Sequence, residues 1–193
     1  MRIWILVGLM LIMSACQSDD ETVKTGDIIN SDHDVIGEAT FTEGAEGVDI
    51  EAEVVGLSPG FHGIHIHENP ECEPPSFETA GGHWSTDEEA EHGLMHPDGS
   101  HVGDMPNLLV EDDGTATFEY TIEDATLLDG QDSFFAENGG KALIIHEEED
   151  DGISQPAGDA GERVACAEIL KSDEEGEEET DNPAENVGEE EEE

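Results

Sequence analysis

Between Val48 and Val54 every second residue is apolar, and the positions between them, Asp49, Glu51 and Glu53, are all acidic. Successive side chains of a strand point to opposite faces, so this spacing predicts a half-buried β-strand and not a helix. Ala116, Phe118 and Tyr120 alternate in the same way with Thr115, Thr117 and Glu119, and Ala142 to Ile145 reads as a short apolar strand ending at His146. Glycine-containing turns (EGAEG, LSPG, EDDG, ENGGK) separate such segments, which predicts an all-β antiparallel barrel or sandwich closed by hairpins. No long amphipathic helix, internal repeat, phosphate-binding glycine loop or nucleophile elbow is evident.

The acidity extends far beyond those strands. The chain holds 52 acidic residues against 5 basic ones, a formal charge of −47, which excludes nucleic acid as a partner and disfavours anionic lipid headgroups. Residues 172–193, SDEEGEEETDNPAENVGEEEEE, carry 13 of the acids and almost nothing apolar, and are expected to be a disordered, solvated tail. The body from residue 17 to 170 still has 39 acids against Lys24, Lys141 and Arg163, so the folded part itself is acidic. Such a body repels itself in dilute buffer, whereas salt at ~1 M shortens the screening length to ~3 Å. A saline habitat is the expectation.

The first sixteen residues, MRIWILVGLMLIMSAC, have the architecture of an export signal: Arg2, an apolar run from Ile3 to Met13, then small residues. The run is too short for a bilayer core of ~30 Å. MSAC resembles a bacterial lipobox, which would make Cys16 a lipidated first residue on the outer face of the cell membrane or in the periplasm; the alternative is ordinary signal cleavage with loss of Cys16. Residues 17–26 are expected to be an acidic tether and residues 27–171 the folded domain. With Cys16 given to lipid, Cys72 and Cys166 remain, which in an exported protein suggests one disulfide, two separate buried thiols being the alternative.

GFHGIHIHE, residues 60–68, places His65 and His67 on one strand face about 7 Å apart, with Ile64 and Ile66 on the other. Neutral imidazole is a common ligand for zinc and copper. His83, His92 and His101 follow with eight residues between each, and Asp104 comes shortly after. Three nitrogens and one carboxylate make a closed tetrahedral zinc set, and His146 can join His65 and His67 from a neighbouring strand.

These residues resemble the copper/zinc superoxide dismutase family, closely over about residues 60–170 and more loosely back to about residue 27. The resemblance implies an eight-stranded Greek-key barrel or flattened sandwich with long metal-binding and electrostatic loops. It implies copper at His65, His67, His83 and His146, and zinc at His83, His92, His101 and Asp104, with His83 bridging the two. It further implies that Cys72 and Cys166 form the family's disulfide, that Arg163 in GDAGERVAC guides the anionic substrate, and that Asp150 links copper-side and zinc-side histidines. His62 matches a structural histidine that ties strands by backbone hydrogen bonds. The implied activity is dismutation of two superoxide anions to dioxygen and hydrogen peroxide by Cu(II)/Cu(I) cycling, with His83 a candidate proton donor. Monomer and homodimer both remain open.

Two features depart from the family's usual pattern. Trp84-Ser85-Thr86 follows the bridging histidine where many members have phenylalanine, asparagine and proline, and Glu147 to Asp151 crowd the segment after His146, so steering of the substrate is expected to be weak. His33 is expected on an exposed hairpin, and His96 is only a remote alternative ligand. Two rivals remain: a single-metal cupin, from H-x-H-x3-E at His65, His67 and Glu71, and a catalytically silent metal-binding lipoprotein with the dismutase fold. Thermal unfolding across a salt series tests the reading of the charge: the midpoint is expected to rise from dilute buffer to molar salt, and equal stability at both ends would remove the basis for a saline habitat.

Overall fold

The computed structural model describes residues 22–87, 89–96, 100–128, 135 and 139–170. Its strands are β1 (Val23–Asn30), β2 (Val35–Glu43), β3 (Val48–Val55), β4 (Gly60–His62), β5 (Ile64–His67), β6 (Leu108–Val110), β7 (Thr115–Ile122), β8 (Gly140–His146) and β9 (Arg163–Leu170). The only regular helical element among the described residues is a 3-10 turn at Glu78–Ala80. Every strand ladder is antiparallel. One sheet runs β5-β8-β9-β1-β2-β3-β7, and a second pairs β4 with β6.

The eight expected strands become nine because the GFHGIHIH strand breaks at Gly63 and changes partner, from β6 to β8. A Cβ at Gly63 would stand 2.9 Å from the Ala160 Cβ and 3.1 Å from His65 Cε1, so only glycine fits this crossing. Since β4 runs into β5 and β6 turns back into β7 through Glu111 N to Thr115 O, the two sheets form one Greek-key barrel.

One boundary needs correction. The expected tether reached residue 26, yet β1 begins at Val23, and Val23 to Gly26 pair with Thr42 to Ala39. Backbone bonding to β2 makes this strand where the sequence shows no apolar alternation. The leader, Cys16 and the acidic tail lie outside the described residues.

The barrel interior is filled as the period of two requires. In β3, Val48, Ile50, Ala52 and Val54 are buried while Asp49, Glu51, Glu53 and Val55 are exposed. Phe41 and Tyr120 flank Ile50 across the ladders, and Ala39 and Phe118 flank Ala52. On the outer face Glu38 stands opposite Glu53, and Glu51 opposite Glu119. Like charges so placed destabilise a sheet, which gives the expected salt dependence a structural address.

All of β8 is buried, and two separate coverings account for it. Leu143 and Ile145 join Ile64 and Ile66 in the barrel core. Ala142 and Ile144 face outward under Phe77, Ala80 and the two cysteines. The Cys72–Cys166 disulfide, with Cα atoms 5.7 Å apart, staples that outer loop to β9. At one point of the core Trp84 packs edge-on against Phe135 at 5.1 Å, and the buried Lys141 ammonium lies 5.3 Å from the Trp84 ring centroid.

The disulfide closes a separation of 94 residues. Replacing both cysteines with serine is expected to lower the unfolding free energy by about 3–5 kcal/mol, read from denaturant titration.

Candidate metal centre

Strand alternation sends Ile64 and Ile66 into the barrel and leaves His65 and His67 on its outer surface, yet both rings are buried. Two loops cover them, residues 68–107 and 147–162. Backbone hydrogen bonds dock the first against β5: Trp84 N donates to Ile66 O at 2.8 Å, Ile66 N to Gly103 O at 2.9 Å, and Gly103 N to Trp84 O at 2.9 Å. A side chain at Gly103 would strike the Ile66 carbonyl. This docking brings His83 beside His67 and Asp104 beside His65.

The first cluster is His65, His67, His83 and His146, whose ligand atoms all lie within 4.8 Å of one another. His65 Nδ1, His67 Nε2, His83 Nε2 and His146 Nε2 are buried and have no hydrogen-bond partner. The opposite nitrogen of each ring is held: His65 Nε2 donates to Asp150 Oδ2 at 2.7 Å, His67 Nδ1 to Gly81 O at 3.0 Å, His83 Nδ1 to Asp104 Oδ1 at 2.7 Å and His146 Nδ1 to Gly161 O at 3.4 Å. Four oriented imidazoles thus present four unpaired nitrogens to one small volume, as a nitrogen-coordinated metal requires.

His83 also belongs to the second cluster, with His92, His101 and Asp104. His92 Nδ1 lies 3.1 Å and His101 Nδ1 3.3 Å from the Asp104 Oδ1 that His83 touches. Asp104 Oδ2 is fixed by the Gly93 and His101 amides at 2.9 and 3.2 Å. Asp150 spans both clusters, since its Oδ1 accepts from His92 Nε2 at 2.9 Å.

Arg163 opens β9 opposite His146. Its guanidinium donates to Phe77 O and Gly81 O, both at 2.6 Å, so the Gly81 carbonyl is shared with His67. It lines a cavity of about 570 Å³ with Ser76, Glu78, Glu162 and Val164 among its neighbours. His62 bridges Ser58 O at 2.8 Å and His146 O at 2.7 Å. His33 is exposed in the β1–β2 turn, His96 pairs with Glu91 at 2.9 Å outside both clusters, and Glu71 is exposed and belongs to neither. Asn107 escaped notice in the sequence: its amide donates to Asp150 O and accepts from Asp150 N, each at 2.8 Å. No local pattern marks it, because its partner lies 43 residues away.

Burial sets the charge of these rings. It lowers His83 to about 4 against the pull of Asp104, lowers His146 to about 3, and with the charge of His83 takes His67 well below the usual range. These imidazoles are therefore neutral near pH 7, the form that binds metal. Burial also disfavours charged His92, but its bonds to Asp104 and Asp150 raise it to about 9. Both carboxylates are disfavoured by burial yet held well below the carboxylate range by their histidine partners.

The signs give a pH profile for the metal-free protein. Stability from His83 and His146 is present above 6.5 and lost as pH falls through about 4 and 3, while that from His92 is present below 6.5 and lost as pH rises through about 9. Denaturant midpoints of the metal-free chain are expected to peak near pH 6.5 and decline on both sides, most steeply in acid.

Comparison with known proteins agrees with this geometry. Residues 35–169 match the family described as Copper/zinc superoxide dismutase (SODC). The chain is 40% identical over 166 residues to Superoxide dismutase (Cu-Zn) 2 of Aquifex aeolicus, covering 86% of this chain and 96% of that protein. It is 38% identical over 130 residues to the superoxide dismutase-like protein YojM of Bacillus subtilis, covering 67% and 66%. Among solved structures, a SOD-like protein from Bacillus subtilis aligns with a TM-score of 0.72 at 34% identity, covering 76% of this chain and 97% of that one. The Cu/Zn superoxide dismutase from Brucella abortus aligns at 0.65 and 26%, covering 77% and 99%. A match that begins at Val35, ends in β9 and takes in every residue of both clusters shows that this chain belongs to the copper/zinc superoxide dismutase family.

Proposed function

We propose that the chain is an active, exported superoxide dismutase that holds copper at His65, His67, His83 and His146 and zinc at His83, His92, His101 and Asp104. The observation that carries this reading is the set of four buried, partnerless nitrogens converging on one point. Copper, when bound there, supplies the one-electron redox chemistry that converts two superoxide anions to dioxygen and hydrogen peroxide.

The protein's own groups do the rest. Arg163, one of few cations in the chain, attracts the anion, and its two bonds to backbone carbonyls fix the guanidinium plane beside His146. His83 is the candidate proton donor: its Nε2 would hold copper, and a proton taken up there from solvent when that nitrogen is free could pass to the forming peroxide. The zinc-side set has no open position, so its work is to hold loop and ring in place. Asp150 and Asn107 keep the copper-side and zinc-side rings in register. The disulfide suits an oxidising compartment, and lipidation at Cys16 would anchor the protein there.

A second reading is a silent, metal-binding member, as the name of the dismutase-like relative suggests. Metal analysis with a dismutation assay separates the two. One copper and one zinc per chain, with turnover lost on chelation and restored by copper, is the expected result, and a metal-loaded chain without turnover sinks the proposal. Arg163→Ala is expected to keep both metals and lower kcat/KM by about 10–100-fold, the worth of a charge-assisted hydrogen bond.

A further inference from the structure

The turn formed by residues 151–158 is more organised than a surface loop needs to be. Asp151 Oδ1 accepts from the amides of Ile153 at 2.9 Å and Ser154 at 2.8 Å, and its Oδ2 from Ser154 Oγ at 2.7 Å. The turn is closed by Gly158 N to Ser154 O at 2.7 Å and Asp151 N to Gly158 O at 2.9 Å. Its product is the placement of one side chain. Gln155 Oε1 accepts from His92 N at 2.8 Å, and Gln155 Nε2 donates to His92 O at 2.9 Å. A single amide thus pairs with both backbone groups of His92, as a neighbouring strand would.

Glycines let the two loops interlock. Gly93 has φ +116, and a Cβ there would strike Gly152 O. Gly158 has φ +65, and a Cβ there would strike Asp150 Oδ1 and come within 2.8 Å of His92 Nε2. The stems of the same loop are tied by Glu147 N to Glu162 O at 2.7 Å and Glu148 N to Ala160 O at 2.9 Å, next to Arg163.

We propose that Gln155 is a positioning residue whose amide clasps the backbone of His92, so that metal retention at the His83, His92, His101 and Asp104 cluster and order in the 147–162 loop that leads into Arg163 become one event. This rests on the zinc assignment above. An outer partner of a metal ligand typically accounts for about 10–100-fold in metal affinity, and an exposed amide belongs at the low end.

The test uses the full metal-free chain, with Gln155→Ala and the length-matched Gln155→Met, and needs no copper. Zinc affinity is read by competition with a chromophoric chelator, loop order by hydrogen exchange at the Asp151 and Gly158 amides with and without zinc, and ligand geometry by the visible spectrum of cobalt(II) at the same site. Both variants are expected to bind zinc about tenfold more weakly, to lose the zinc-induced protection of those two amides, and to shift the cobalt spectrum, which a merely structural role would leave alone. Variants that bind zinc within twofold of wild type with equal protection would overturn the inference while leaving the zinc assignment standing. A wild-type chain that takes up no zinc would overturn both.

Discussion

The outward turn of two histidines from a strand whose other face is locked into a barrel core is the constraint on which this protein depends. Ile64 and Ile66 cannot leave the core without exposing large apolar surface, so His65 and His67 are fixed with backbone precision on the far side. The adjacent strand β8 adds His146, and the rest of the site arrives from loops: His83 and Asp104 by docking on the backbone of β5, and Asp150 from the loop beyond β8. The rigid element supplies position, and the loops supply chemistry and cover.

Charge is arranged with the same economy. The outer face of β2, β3 and β7 accumulates carboxylates in like-charged pairs, while Lys141 is buried against Trp84 and Arg163 is held by two carbonyls. Exposed carboxylates run on to Glu147, Glu148 and Glu149 directly after His146, while inside the cluster burial keeps His67, His83 and His146 neutral. Two electrostatic regimes coexist, one screened by salt and one sheltered from it.

Much of this was legible in the sequence because the relevant signals are local. The alternation in Val48–Val55 dictated β3 down to which residues are buried, and H-x-H on a strand dictated a shared face. Ligand spacing, with the family resemblance, gave both clusters. What stayed hidden depends on contacts across the fold. β1 starts earlier than its composition suggests because β2 supplies the ladder, and the break at Gly63 follows from its crowding by Ala160 and His65. Asn107 and Gln155 touch backbone far away in sequence, and a polar residue in a loop carries no mark of such a partner.

Trp84 stands one residue beyond the ring that both clusters share, and its amide and carbonyl join the strand bearing His65 to the loop bearing Asp104. The chain has only one other tryptophan, Trp4, in the expected export signal. In a chain cut after an export signal, tryptophan emission would come from this single indole, seated at the joint between the two sites. Intrinsic fluorescence then becomes a label-free gauge of that joint.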